Sequence, residues 1–64
     1  MPEIYVHALE GRTLEQKRAL VKDITDAVVR HFNVQPDAVM VEIIESRADL
    51  KAKGGYLFKD RPPG

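Results

Sequence analysis

Residues 3–45 read EIYVHALEGRTLEQKRALVKDITDAVVRHFNVQPDAVMVEIIE, and this stretch decides the fold. In its first part Ile4, Val6 and Ala8 alternate with Tyr5, His7 and Leu9. Both sets are largely apolar, with frequent β-branched and aromatic side chains, as in a strand covered on both faces. Glu10-Gly11-Arg12 breaks the run as a turn. Thr13 then stands three residues before Gln16, the spacing of a capping box in which hydroxyl and amide each satisfy an orphan N–H. Glu15 in the first turn suits the helix dipole. Leu14, Leu20, Val21, Ile24, Ala27, Val28 and Phe32 recur at helical spacing, opposite Glu15, Arg18, Lys22, Asp26 and Arg30. Asn33 suits the left-handed position after a helix. The spacing predicts a helix over 14–32. Pro36 bars its continuation, and residues 38–45, AVMVEIIE, read as a second strand. Val39, Val41 and Ile43 would face the helix; Met40, Glu42 and Ile44 would face away.

Strand, helix and strand in this order make an α/β chain: one βαβ unit with parallel strands and a right-handed crossover. Beyond it, Arg47–Lys53 reads as polar loop and Gly54-Gly55 as a turn. Tyr56-Leu57-Phe58 is a small strand or hairpin arm, and 59–64 is expected to be a flexible tail of a single domain, 1–64. One helix covers only one face of a two-stranded sheet, so the other face and both edges stay open. Ile4, Val6, Ile44 and Tyr56-Leu57-Phe58 exceed what one helix needs and are expected to pack on other subunits. Composition points the same way. A chain of 64 residues buries only about 60% of its unfolded surface. It has no Cys for a disulfide, and His7 and His31 lack zinc-ligand spacing. Association between chains is the stabiliser left. Ten basic residues balance ten acidic ones, which argues against a nucleic-acid partner. With no apolar run near the roughly 18 residues of a membrane helix, and no signal peptide, no membrane partner is expected and the expected location is cytoplasmic.

The chemistry concentrates at Met1-Pro2. With Met1 removed, the Pro2 nitrogen is a secondary amine with a free lone pair rather than an amide. Desolvated and near cations, such an amine is neutral near pH 7. It then serves as a general base that takes a proton from carbon beside a carbonyl and returns it elsewhere.

Pro2, the short first strand, the Leu9-Glu10-Gly11-Arg12 turn, the Thr13-Leu14-Glu15-Gln16-Lys17 helix start and the Gly54-Gly55 turn together resemble the tautomerase superfamily. The chain is most similar to its small-subunit 4-oxalocrotonate tautomerase (2-hydroxymuconate tautomerase) group, over nearly its whole length. The resemblance implies keto–enol isomerisation of a small 2-oxo or 2-hydroxy unsaturated acid, with Pro2 as base and acid. It implies that Arg12 binds the substrate carboxylate, a task for which a guanidinium fork is suited. It implies no cofactor or metal, and a homohexamer built as three dimers. In each dimer two βαβ units pair their strands into a four-stranded sheet covered by two helices. The residues themselves argue only for more than one chain.

Two positions depart from the family pattern. Its second active-site arginine, which polarises the substrate's 2-oxo group, aligns with Met40, which donates no hydrogen bond. Its loop aromatic aligns with Lys51. Arg47, Lys51, Lys53 and Arg61 are candidate replacement cations, and Tyr56 or Phe58 a candidate apolar wall; a solvated loop and tail is the simpler reading of the charges. The substrate-binding candidates are therefore Arg12, Met40, Lys51 and Arg61. His7 reads as a packed or interface residue, and His31 fits the helix dipole. Glu42 is either an acid facing a neighbouring subunit's cation or a pocket carboxylate. No acidic residue near Lys51–Lys53 matches the water-activating one of dehalogenase relatives. Two other functions stay open: a different proline-dependent chemistry, such as hydration or decarboxylation, and a non-catalytic oligomer or inactive partner subunit.

Overall fold

Thr13 and Gln16 start the helix as their spacing requires. In the computed structural model, which describes residues 1–61, the Gln16 N–H donates to Thr13 Oγ1 (3.1 Å) and the Thr13 N–H to Gln16 Oε1 (2.9 Å). The helix α1 runs Leu14–Phe32 and closes on Asn33, which adopts the left-handed conformation (φ 56°) and donates its N–H to the Val29 carbonyl. Arg30 and His31 lie in its last turn, where positive charge complements the dipole.

The strands β1 (Glu3–Leu9) and β2 (Met40–Ser46) pair in parallel, Glu3 opposite Met40 through Leu9 opposite Ser46. β2 begins two residues later than expected because Pro36–Ala38 forms a 3-10 turn. Proline presets the backbone angle for that turn. The Ala38 and Val39 amides are committed to it, donating to Gln35 and Pro36 carbonyls, before the ladder begins.

The register settles which side chains share a face. Ile4, Val6 and Ala8 lie beside Val41, Ile43 and Glu45 on the side that α1 covers, where Lys17 reaches Glu45 at 2.8 Å. Ile4 and Val6 are thus not surplus, as expected from the sequence, but form part of the helix-facing layer. The opposite face carries Glu3, Tyr5, His7 and Leu9 beside Met40, Glu42, Ile44 and Ser46.

After β2 a turn at Arg47–Leu50 leads into a hairpin of β3 (Ala52–Lys53) and β4 (Tyr56–Leu57). Ala52 and Lys53, expected as loop, pair because Gly54 and Gly55 take positive φ (62° and 87°), the primed turn that matches strand twist. Phe58, expected in the hairpin arm, instead opens a 3-10 turn, Phe58–Asp60, whose last two residues fall in the stretch expected to be tail. The remainder of that tail, 62–64, lies outside the described residues.

Among the described residues none is buried, and Phe32 and Tyr56 are 66% and 69% exposed. The radius of gyration is 15.0 Å, against about 11 Å for a compact chain of this length. One chain alone presents its apolar side chains to solvent, the condition that association between copies relieves.

Candidate active site

Pro2 and Met40 are held side by side at the N-terminal edge of the sheet. The Met40 N–H donates to the Pro2 carbonyl at 3.0 Å, so the ladder fixes Pro2 one step before β1. Pro2 is half-buried, while Met1 before it is 81% exposed. The Met40 side chain, 52% exposed, brings a thioether and no donor to this edge. On the same sheet face, Tyr5 donates its hydroxyl to Glu3 Oε1 at 3.0 Å. That hydrogen bond and the charge of Glu3 hold the Tyr5 phenol above its usual range, with desolvation and the Glu42 charge adding to the effect. Tyr5 is therefore a hydrogen-bond donor near neutral pH and not a base.

Arg12 lies at the other end. It follows Gly11, whose φ of 120° lies where side-chain-bearing residues are strained, and precedes the Thr13 cap. It is exposed and, among the described residues, has no ion-pair partner, whereas Lys17, Arg18, Lys22 and Arg47 are each paired with a carboxylate. Arg12 lines a cleft of about 210 Å³ between α1 and the sheet, with Val6, Ala8, Leu20 and Ile43 as its apolar surface.

Lys51 also belongs to this end. It follows the turn after β2, and its carbonyl accepts the Phe58 N–H at 2.8 Å. Arg61 stacks over the Phe58 ring, 5.7 Å from its centroid. With Lys53, Tyr56 and Asp60 it lines a groove of about 570 Å³ along the hairpin. Arg47 is engaged at 2.6 Å by Asp49, so among the described residues it is the one of the four candidate replacement cations that has an ion-pair partner.

The site residues read from the sequence therefore fall into two groups. Pro2 and Met40 stand at the N-terminal edge of the strands; Arg12, Lys51 and Arg61 stand at or beyond the C-terminal edge. The seven residues of β1 separate them, a span of about 20 Å at strand rise. A small acid cannot touch Pro2 and Arg12 of one chain at once. Strand polarity in a βαβ unit already contained this separation. The Tyr5–Glu3 contact follows from their i, i+2 spacing on one strand face, whereas the bond from the Ala48 N–H to the Glu10 carboxylate, 38 residues apart, had no signal in residue spacing.

The family model described as tautomerase enzyme matches residues 2–61. The chain belongs to the tautomerase family. It is 48% identical over 61 residues to a probable tautomerase of Bradyrhizobium diazoefficiens, covering 95% of this chain and 91% of that one. It is 42% identical over 60 residues to the 2-hydroxymuconate tautomerase of Bacillus subtilis, covering 94% and 97%. A heterohexameric 4-oxalocrotonate tautomerase from Chloroflexus aurantiacus superposes with a TM-score of 0.83 at 28% identity, over 94% of this chain and 97% of that one. The βαβ unit with its short C-terminal strands is thus the tautomerase fold, and the family resemblance read from Pro2, the Glu10-Gly11-Arg12 turn and Gly54-Gly55 holds. Among the described residues no helix is long and apolar enough to cross a membrane.

Proposed function

We propose that the chain is a tautomerase that moves a proton on a small 2-oxo or 2-hydroxy unsaturated acid, with Pro2 as base and acid once Met1 is gone. The observation that carries this reading is the placement of Pro2. Its carbonyl is pinned by β2, so the ring nitrogen is held at the sheet edge, and the exposed Met1 is open to removal. The free amine takes the proton from carbon beside the carbonyl. The resulting ammonium returns it at the other end of the conjugated system, so that the amine is regenerated.

Arg12 is the carboxylate anchor, and it comes from another copy of the chain, because its own Pro2 is a strand length away. Lys51, Lys53 and Arg61 are the remaining candidate cations at the anchor's end, and Met40 lines the side beside Pro2. Association answers both the missing core and the split site. Two chains that pair sheet edges make the dimer, and three dimers that pack their uncovered sheet faces together make the hexamer. We place the protein in the cytoplasm, with no cofactor.

A second reading rests on Met40. Where the family donor would polarise the 2-oxygen, this chain offers a thioether, which also suits an inactive subunit that completes the site of a different chain. Activity of the purified chain alone separates the two.

Arg12→Ala tests the anchor. An interaction that grips ground state and transition state alike contributes to KM and not to kcat. Loss of a bidentate charge-assisted contact costs about 2–3 kcal/mol, so KM for a monocarboxylate enol is expected to rise about 30- to 150-fold with kcat little changed. A large fall in kcat at unchanged KM would instead make Arg12 the electrophile.

A further inference from the structure

Arg12 is exposed, yet an anchor must be held in place, and the structure shows how the backbone on either side of it is fixed. On its C-terminal side is the Thr13–Gln16 capping box. On its N-terminal side is Glu10. The Glu10 N–H donates to the Ser46 carbonyl at 2.9 Å, one step beyond the last pair of β1. Its carboxylate oxygen Oε2 accepts the Ala48 N–H at 2.8 Å. Ala48 in turn accepts the Lys59 N–H on its carbonyl at 3.0 Å, next to the bond between Phe58 and Lys51. Glu10 forms no ion pair with Arg12 or any other cation among the described residues, so its charge is directed at a peptide N–H. Between Glu10 and Arg12 stands Gly11, the residue type with the most backbone freedom to lose. A turn containing it stays in one conformation only if it is tied at both ends.

We propose that Glu10 is a positioning residue, whose carboxylate locks the β1–α1 turn onto the loop at Arg47–Lys51 and so fixes the Arg12 guanidinium where a substrate carboxylate is bound. The same bond sets the distance from Arg12 to Lys51 and, through Ala48 and Lys59, to the segment that carries Arg61. This inference rests on the anchor role of Arg12 proposed above. Its physical basis is preorganisation: an arginine already held in its bound place loses less freedom when the ligand arrives.

The test is steady-state kinetics of the chain beginning at Pro2 with a monocarboxylate enol, phenylenolpyruvate. Glu10→Ala is expected to raise KM about tenfold, the size of one hydrogen bond to a charged group, with kcat within about twofold. Glu10→Gln, which keeps a carbonyl acceptor, is expected to recover most of the wild-type KM. Ala48→Pro removes the donor from the other side. Ala48 is the second residue of a turn closed by the Leu50 N–H on the Arg47 carbonyl (3.0 Å), a position proline accepts. It should reproduce the Glu10→Ala rise, and the double variant should be no worse than either single one, because all three delete one bond. An unchanged KM in Glu10→Ala, or additive effects in the double variant, would overturn the positioning role. Arg12→Ala run alongside distinguishes the two layers. If it raises KM and Glu10→Ala does not, only the positioning role falls; if neither raises KM, the anchor falls first.

Discussion

Protein that keeps Met1 is expected to ketonise a 2-hydroxy dienoate or phenylenolpyruvate at least a hundredfold more slowly than protein that begins at Pro2. The loss follows from bonding alone. An amide nitrogen has its lone pair delocalised into the carbonyl and cannot accept a proton near neutral pH, and a positioned general base contributes roughly 10²–10⁴ in rate. The comparison is clean because Met1 is exposed and donates nothing to the fold: the first ladder bond is accepted by the carbonyl of Pro2, not by Met1. Chains of 63 and 64 residues made by chemical synthesis, checked by intact mass and refolded in parallel, provide the two samples. Equal rates would remove the amine from the mechanism. Pro2→Ala in the shorter chain is expected to fall between them, since a primary amine remains a base in the same place.

The second large effect is expected at Met40, on the doubly charged substrate of 2-hydroxymuconate tautomerases. In the proposed reaction, negative charge gathers on the substrate's 2-oxygen as Pro2 withdraws the proton. A preorganised donor at such an oxygen is worth about 2.7–4 kcal/mol, or roughly a hundred- to a thousandfold in rate. Met40 provides none, and the two carboxylates on its sheet face, Glu3 and Glu42, repel a second anionic group. Wild-type turnover of the dicarboxylate is therefore expected to be slow, and Met40→Arg is expected to raise kcat by an order of magnitude or more. Glu3 is engaged by Tyr5, so Glu42 is the carboxylate left to compete for the new guanidinium. Adding Glu42→Gln should enlarge the gain. Efficient turnover by the wild type would mean that Lys51, Lys53 or Arg61 of a neighbouring copy reaches the oxygen. No gain from a low baseline would mean a pocket rebuilt for another substrate.

How much of this was legible in the sequence depends on the range of the forces involved. The helix ends were readable because they are set locally: Thr13 and Gln16 satisfy each other, and Asn33 alone tolerates the turn that stops α1. β2 starts two residues after the expected position because Pro36 favours both a loop and a 3-10 turn, and only the amide partners of Ala38 and Val39 decide between them. Ile4 and Val6 lie in the helix-facing layer, not the outward one expected of them, for a related reason. Alternation shows that two faces exist, but which one the helix covers is fixed by register against Val41 and Ile43. At the candidate site, the sequence offers residue types but no distances. Pro2, Arg12 and Met40 stand out by chemistry, yet their separation along β1 and the tie from Glu10 to Ala48, 38 residues apart, exist only in three dimensions.

One site is expected to draw Pro2 and Arg12 from different chains, and mixing two defective chains tests this directly. The Met1-retaining chain has Arg12 but no free amine; the Arg12→Ala chain beginning at Pro2 has the amine but no anchor. Each alone is expected to be nearly inactive on a monocarboxylate enol at concentrations well below the raised KM. Unfolded together, mixed in equal amounts and refolded, they should form mixed oligomers in which roughly a quarter of the sites combine an intact Pro2 with an intact Arg12. The expected result is recovery of low-KM activity in that proportion, well above the sum of the two parents. A mixture no more active than that sum would contradict a site shared between chains.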